Sequence, residues 1–115
     1  MVLGATTNPE RYAYLATMRL LQKGHEVVPM GIKVGAIEGV SILQGQPEIT
    51  ELDTVTLYLG AAHQPDYYDY LLSLQPKRII FNPGTENPEL AVLAAKHDIE
   101  VVEGCTLVML SIGTY

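Results

Sequence analysis

Along most of the chain, short runs of β-branched and apolar residues alternate with segments whose apolar positions recur at helical spacing. Residues 1–3, 26–30, 54–59, 78–81 and 99–102 read as strands, with residues 12–23, 65–74 and 88–97 between them as helices. Strand and helix in turn predict an α/β fold: one domain of three layers over residues 1–115, with a mostly parallel sheet of five or six strands and helices on both faces. In the first helix Tyr14, Met18 and Leu21 share a stripe that predicts the buried face, and Gly24 suits a C-terminal cap. In the last full helix Leu90, Leu93, Ala94 and His97 share one stripe, Asn87 is the expected N-cap and Pro88 the first helical residue. Residues 31–52, rich in glycine, are less regular and read as an abbreviated crossover with one short edge strand at 40–43.

Open α/β sheets bind ligands at the carboxyl ends of their strands, where loops and helix N-termini converge. After the first strand comes Gly4-Ala5-Thr6-Thr7-Asn8-Pro9, a tight turn whose amides, together with a helix N-terminus, suit a phosphate group. The same six residues also fit a plain helix start capped by Asn8, because they form no complete dinucleotide fingerprint. The second strand ends Pro29-Met30-Gly31-Ile32-Lys33, without the acid that NAD-binding domains place there for the ribose hydroxyl. Lys33 is either a solvated loop residue or a partner for a phosphate on the ribose. The second reading points away from NAD and towards NADP or coenzyme A.

Composition narrows the partners. With 115 residues, 48% of them apolar, the chain can bury one sizeable core and has no room for a second domain. A net charge of −6 and no Lys/Arg cluster argue against nucleic acid or an anionic membrane surface, either of which needs a basic face. No apolar run approaches the ~20 residues of a membrane span, and no signal-peptide pattern is expected. A lone cysteine, Cys105, excludes an internal disulfide and fits a reducing cytoplasm. The first strand is short enough to expect a few further residues ahead of it.

Catalytic chemistry is sparse. His63 lies on the ligand edge, where it is either a general base or a loop hydrogen-bonding group, and no Ser, Cys or Asp motif pairs with it. His97 reads as core or helix-end packing, and His25 opens a strand. One cysteine and three scattered histidines match no zinc spacing. Cys105 precedes the apolar stretch 106–110; it is either a thiol activated by a short helix or an inert buried one. Tyr67, Tyr68 and Tyr70 cannot all face the core from one helix, so at least one is expected to be exposed.

The stretches G-A-T-T-N-P-E-R-Y, G-H-E-V-V-P-M-G-I, L-D-T-V-T-L-Y, P-K-R-I-I-F-N-P-G-T-E-N-P-E-L and I-E-V-V-E-G-C, in this order and over nearly the whole chain, resemble the small coenzyme A-binding domain family. Its members are Rossmann-like domains similar to the N-terminal domain of the succinyl-CoA synthetase α subunit. The resemblance implies Gly4, Ala5, Thr6, Asn8, Arg11 and Tyr12 near the pyrophosphate and Met30, Gly31 and Lys33 near the adenosine 3′-phosphate. It implies Leu59, Gly60, Pro83 and Gly84 along the pantetheine path. The chain departs from the family at Pro29-Met30-Gly31-Ile32, where Pro-Val-Asn-Pro is common, at Asn82-Pro83-Gly84, where Gln-x-Gly is, and at Glu103-Gly104-Cys105, where Asp-Arg-Cys is. The synthetases use a phosphohistidine and an ATP-binding region from other domains, so the shared fold does not bring their reaction with it. The expectation is a non-catalytic module binding coenzyme A or an acyl-CoA, acting as a sensor, self-associating or with a protein partner. The alternative is a small NADP-linked or otherwise nucleotide-dependent enzyme.

Overall fold

The computed structural model describes residues 1–115. Five parallel strands form one sheet in the order β2-β1-β5-β6-β7: β1 (Val2–Leu3), β2 (Pro29–Met30), β5 (Thr54–Leu57), β6 (Arg78–Phe81) and β7 (Glu100–Glu103). Every residue of β5 is buried, as are Ile79, Ile80 and Phe81 of β6, which is why these strands read as continuous apolar or β-branched runs rather than alternating ones. The sheet is covered on both faces. Leu3, Leu57, Ile79 and Phe81 pack with Tyr70 and Leu71 of α2 (Tyr68–Leu74) and with Leu90 and Ala94 of α3 (Pro88–Lys96). Val2 points the other way, into a second cluster with Ala13 and Leu20 of α1 (Tyr12–Gln22) and Leu110 of α4 (Thr106–Ile112). This is the expected Rossmann-like α/β arrangement.

Local readings change in several places. The buried face of α1 is Ala13, Ala16, Thr17 and Leu20, while Tyr14, Met18 and Leu21 lie only half-buried beside it. Close approach to the sheet selects small side chains, and Thr17 hides its hydroxyl on the Ala13 carbonyl at 2.8 Å. The expected edge strand at 40–43 divides: β3 (Ala36–Ile37) and β4 (Val40–Ser41) form a separate antiparallel hairpin, and Leu43 alone adds a parallel rung outside Met30 of β2. None of the three tyrosines is exposed. Tyr67 ends a 3₁₀ turn ahead of α2, and Tyr70 donates its hydroxyl to the Pro47 carbonyl at 2.6 Å. Of the two readings of His97, core or helix end, the second holds: it is exposed at the end of α3, its Nδ1 2.9 Å from the Leu93 carbonyl. Asn87 caps α3 as expected, its side chain accepting from the Glu89 and Leu90 amides at 3.1 and 3.3 Å.

Candidate ligand-binding site

The loops leaving β1, β2, β5 and β6 surround one cleft of about 760 Å³ at the carboxyl edge of the sheet. Gly4, Ala5, Thr6, Asn8, Arg11, Tyr12, Gly31, Lys33, Leu59, Gly60, Pro83 and Gly84 all line it. Met30 does not. It is 1% exposed and belongs to the core, because strand alternation turns its side chain under the sheet.

The first loop is held by the backbone of the second. The Gly4 and Ala5 amides both donate to the Met30 carbonyl, at 2.9 and 2.8 Å. Gly4 sits at φ +100°, and a Cβ there would lie 2.9 Å from the Tyr58 backbone carbon and oxygen, so a side chain is excluded twice over. Ala5 packs in the second core cluster and also lines the cleft. The Asn8 amide donates to Thr6 Oγ1 at 3.2 Å, and the Glu10 amide to Asn8 Oδ1 at 3.0 Å. Asn8 therefore caps a turn rather than α1 itself, which starts only at Tyr12 with Arg11 at its N-cap, so Pro9 is not its first residue. The amides of Thr6, Thr7, Tyr12 and Ala13 make no hydrogen bond within the chain, and the helix N-terminus stands behind the last two. That combination is suited to an anion.

The second loop supplies charge and apolar surface together. Ile32 and Val34, 85% and 88% exposed, flank Lys33 on the cleft wall, and close packing leaves no room for a Cβ on Gly31 against the Ala5 carbonyl. The lone ion pair of the chain, Lys77–Asp53 at 3.9 Å, involves neither Arg11 nor Lys33. Both cations thus face the cleft without a carboxylate partner, and Glu10 is the one acid lining it. Ile32 and Val34 were not expected at the site; the signal was an apolar pair in a glycine-rich loop with no core to enter.

At the far end Leu59, Gly60, Pro83, Gly84 and Thr85 form the walls, and two buried amides brace them. Asn82 donates to Thr56 Oγ1 and the Leu57 carbonyl at 2.7 and 2.8 Å and accepts from the Thr106 amide at 2.8 Å, joining β5, β6 and α4. Gln64, 0% exposed, spans the loops after β5 and β6. In the sequence Asn82 stands out only as a departure from the family pattern and Gln64 only as the residue before Pro65. His63 lies exposed on a 3₁₀ turn outside the lining, and its ring makes no hydrogen bond to another side chain. Cys105 is half-buried at the N-cap of α4. The Tyr58 hydroxyl is buried without a hydrogen-bond partner, near the Thr56 and Thr106 hydroxyls, which bond each other at 2.7 Å; burial pushes its phenol up to about 12. It is a neutral wall group at physiological pH. No three His, Cys, Asp or Glu side chains gather as a metal site, and no helix is long and apolar enough to cross a membrane.

Comparison with solved structures places the fold. A crystal structure of an uncharacterized protein is 54% identical to the chain, with a TM-score of 0.97 over 99% of this chain and 94% of that one. A protein from Thermus thermophilus, cell-free ID.343, superposes with a TM-score of 0.87 at 21% identity over 99% of this chain and 87% of its own. A hypothetical protein from Pyrococcus horikoshii OT3 does so at 0.84 and 22% identity, over 96% and 80%. Among curated proteins none matches the sequence significantly. The family model described as a CoA binding domain matches residues 1–111, and with it the glycine turn, the unpaired cations and the cleft they share: the chain belongs to the CoA-binding domain family.

Proposed function

We propose that the cleft binds coenzyme A or an acyl-CoA and that the chain acts as a non-catalytic module reporting that ligand to a protein partner. The observation that carries this reading is the pair of unpartnered cations, Arg11 and Lys33, sharing one cleft with the free amides of the β1–α1 turn. Coenzyme A carries two anionic groups, a pyrophosphate and a 3′-phosphate. The turn amides with Arg11 would take the first and Lys33 the second, the adenine resting against Ile32 and Val34. The pantetheine arm would run between the Leu59–Gly60 and Pro83–Gly84 walls. His63 outside the cleft and Cys105 at half-burial form no paired acid–base or nucleophile arrangement, which favours a module over an enzyme. The half-buried single thiol suits a reducing, cytoplasmic setting.

Titration calorimetry and thermal unfolding test the proposal. At a hundred times its Kd, coenzyme A should stabilise the fold by about 2.7 kcal/mol through mass action, with NADH and NADPH at equal concentration doing less. No heat at millimolar coenzyme A would overturn the proposal, and tighter binding of NADPH would replace it with the NADP-linked reading.

Lys33→Ala separates the two phosphates. The substitution removes a charge-assisted contact, so coenzyme A should lose about 1–3 kcal/mol while dephospho-coenzyme A, which lacks the 3′-phosphate, loses much less. Equal losses would assign Lys33 to a general field instead. Lys33 is exposed, and Tm should not change.

A further inference from the structure

We infer that Gln64 is the positioning residue that sets the gap between the two far walls of the cleft, and so determines affinity for the arm of the ligand beyond its nucleotide. The inference rests on the proposed coenzyme A site and adds to it a residue outside the cleft lining. One carboxamide holds both loops: Gln64 Nε2 donates to the Leu59 carbonyl at 2.9 Å on one wall and to the Thr85 carbonyl at 2.8 Å on the other. Its orientation is itself imposed. Gln64 Oε1 accepts from Asn87 Nδ2 at 2.9 Å, and Asn87 cannot turn over because its Oδ1 caps α3 through the Glu89 and Leu90 amides. Asn87 Nδ2 also donates to the Tyr68 hydroxyl at 2.7 Å, tying the same chain of bonds to α2. Gln64 is 0% exposed, so water cannot substitute for any of these partners. A rotated carboxamide would set its oxygen against two carbonyls.

This arrangement predicts a specific separation of effects. A pre-set gap spares the ligand the cost of ordering two loops, and the benefit falls only on a ligand long enough to enter between them. Adenosine 3′,5′-bisphosphate carries the nucleotide head without the arm; coenzyme A carries both. A residue that merely supports folding would weaken the two alike.

Two variants break the clamp by different routes. Gln64→Met keeps volume and an unbranched shape but removes the donor. Asn87→Asp keeps the α3 cap, since Asp and Asn serve equally there, and replaces Nδ2 with an oxygen that repels Gln64 Oε1 and turns its carboxamide over. In both, coenzyme A affinity should fall about tenfold, with adenosine 3′,5′-bisphosphate changed by less than about twofold. In ligand-free protein, amide hydrogen exchange should quicken at Thr85 and His63, whose amides bond within the two loops, and stay slow through β6. Parallel loss of both ligands, or unchanged exchange in either loop, would overturn the role of Gln64. A parent protein that binds no coenzyme A would instead overturn the proposed function, and the exchange measurement still decides whether Gln64 clamps the loops. Should Gln64→Met fail to fold, Asn87→Asp carries the same comparison.

Discussion

Gly4→Ala is expected to destabilise the domain by about 3 kcal/mol, lowering Tm by roughly 10–15 °C for a chain of this size. Two independent costs add at this position. The backbone stands at φ +100°, outside the region an alanine adopts without strain, and the new methyl would lie 2.9 Å from the Tyr58 carbonyl carbon and oxygen. Neither neighbour can give way easily, because the Tyr58 amide donates to the Leu3 carbonyl at 2.8 Å and Leu57, just before it, is fully buried in β5. Gly39→Ala supplies the control. Gly39 also has positive φ, at +79°, but nothing lies within 4 Å of its Cβ position, so it should cost only about 1 kcal/mol. Urea unfolding of the three proteins measures the difference. If Gly4→Ala costs no more than Gly39→Ala, contact with Tyr58 does not constrain the opening turn.

Most of the sheet was legible because parallel strands buried on both faces must be apolar or β-branched throughout. Residues 54–57 and 79–81 have that composition, and no helix period competes with it. The buried face of α1 was not, since the side chains nearest the sheet are alanines and a threonine, chosen for size, while the larger Tyr14 and Met18 sit at the margin. Residues 31–52 were opaque for another reason: two-residue strands and a single bridge at Leu43 are too short to show any period. The site was legible to the extent that strand ends lie together in an open α/β sheet, which brings four loops to one edge. Met30 failed that rule because a residue at a strand end still alternates, and its side chain went to the core while its carbonyl served the turn. Gln64 and Asn82 show in the sequence only as turn residues ahead of Pro65 and Pro83. Their long-range bonds, from Gln64 to Thr85 and from Asn82 to Thr56 and Leu57, span 21 to 26 residues, where neither helical nor strand periodicity carries information.

Gly60→Glu should reduce coenzyme A affinity about a hundredfold while leaving stability within about 0.5 kcal/mol of the parent. The position is chosen by what surrounds it. Ala5 also lines the cleft, but it is 8% exposed with its methyl in the core, so a larger or charged residue there would unfold the loop and confuse lost binding with lost structure. Gly84 faces open space at φ +90°, where any side chain is strained. Gly60 has neither defect: φ −60° and ψ 152° are ordinary for any residue, and nothing lies within 4 Å of its Cβ position. A glutamate there can extend into the gap that the pantetheine arm is proposed to occupy, excluding it by volume and repelling the ligand's phosphates by charge. Gly60→Ala, which adds one methyl and no charge, should bind with less than about a threefold loss, and the contrast between the two variants assigns the effect to bulk and charge rather than to backbone stiffening. Adenosine 3′,5′-bisphosphate, which leaves this end empty, should be weakened only by the longer-range repulsion, a loss that added salt relieves. Unaltered coenzyme A binding to Gly60→Glu at parent stability would mean that the arm leaves the protein by another route, with the nucleotide end of the cleft still free to hold the ligand.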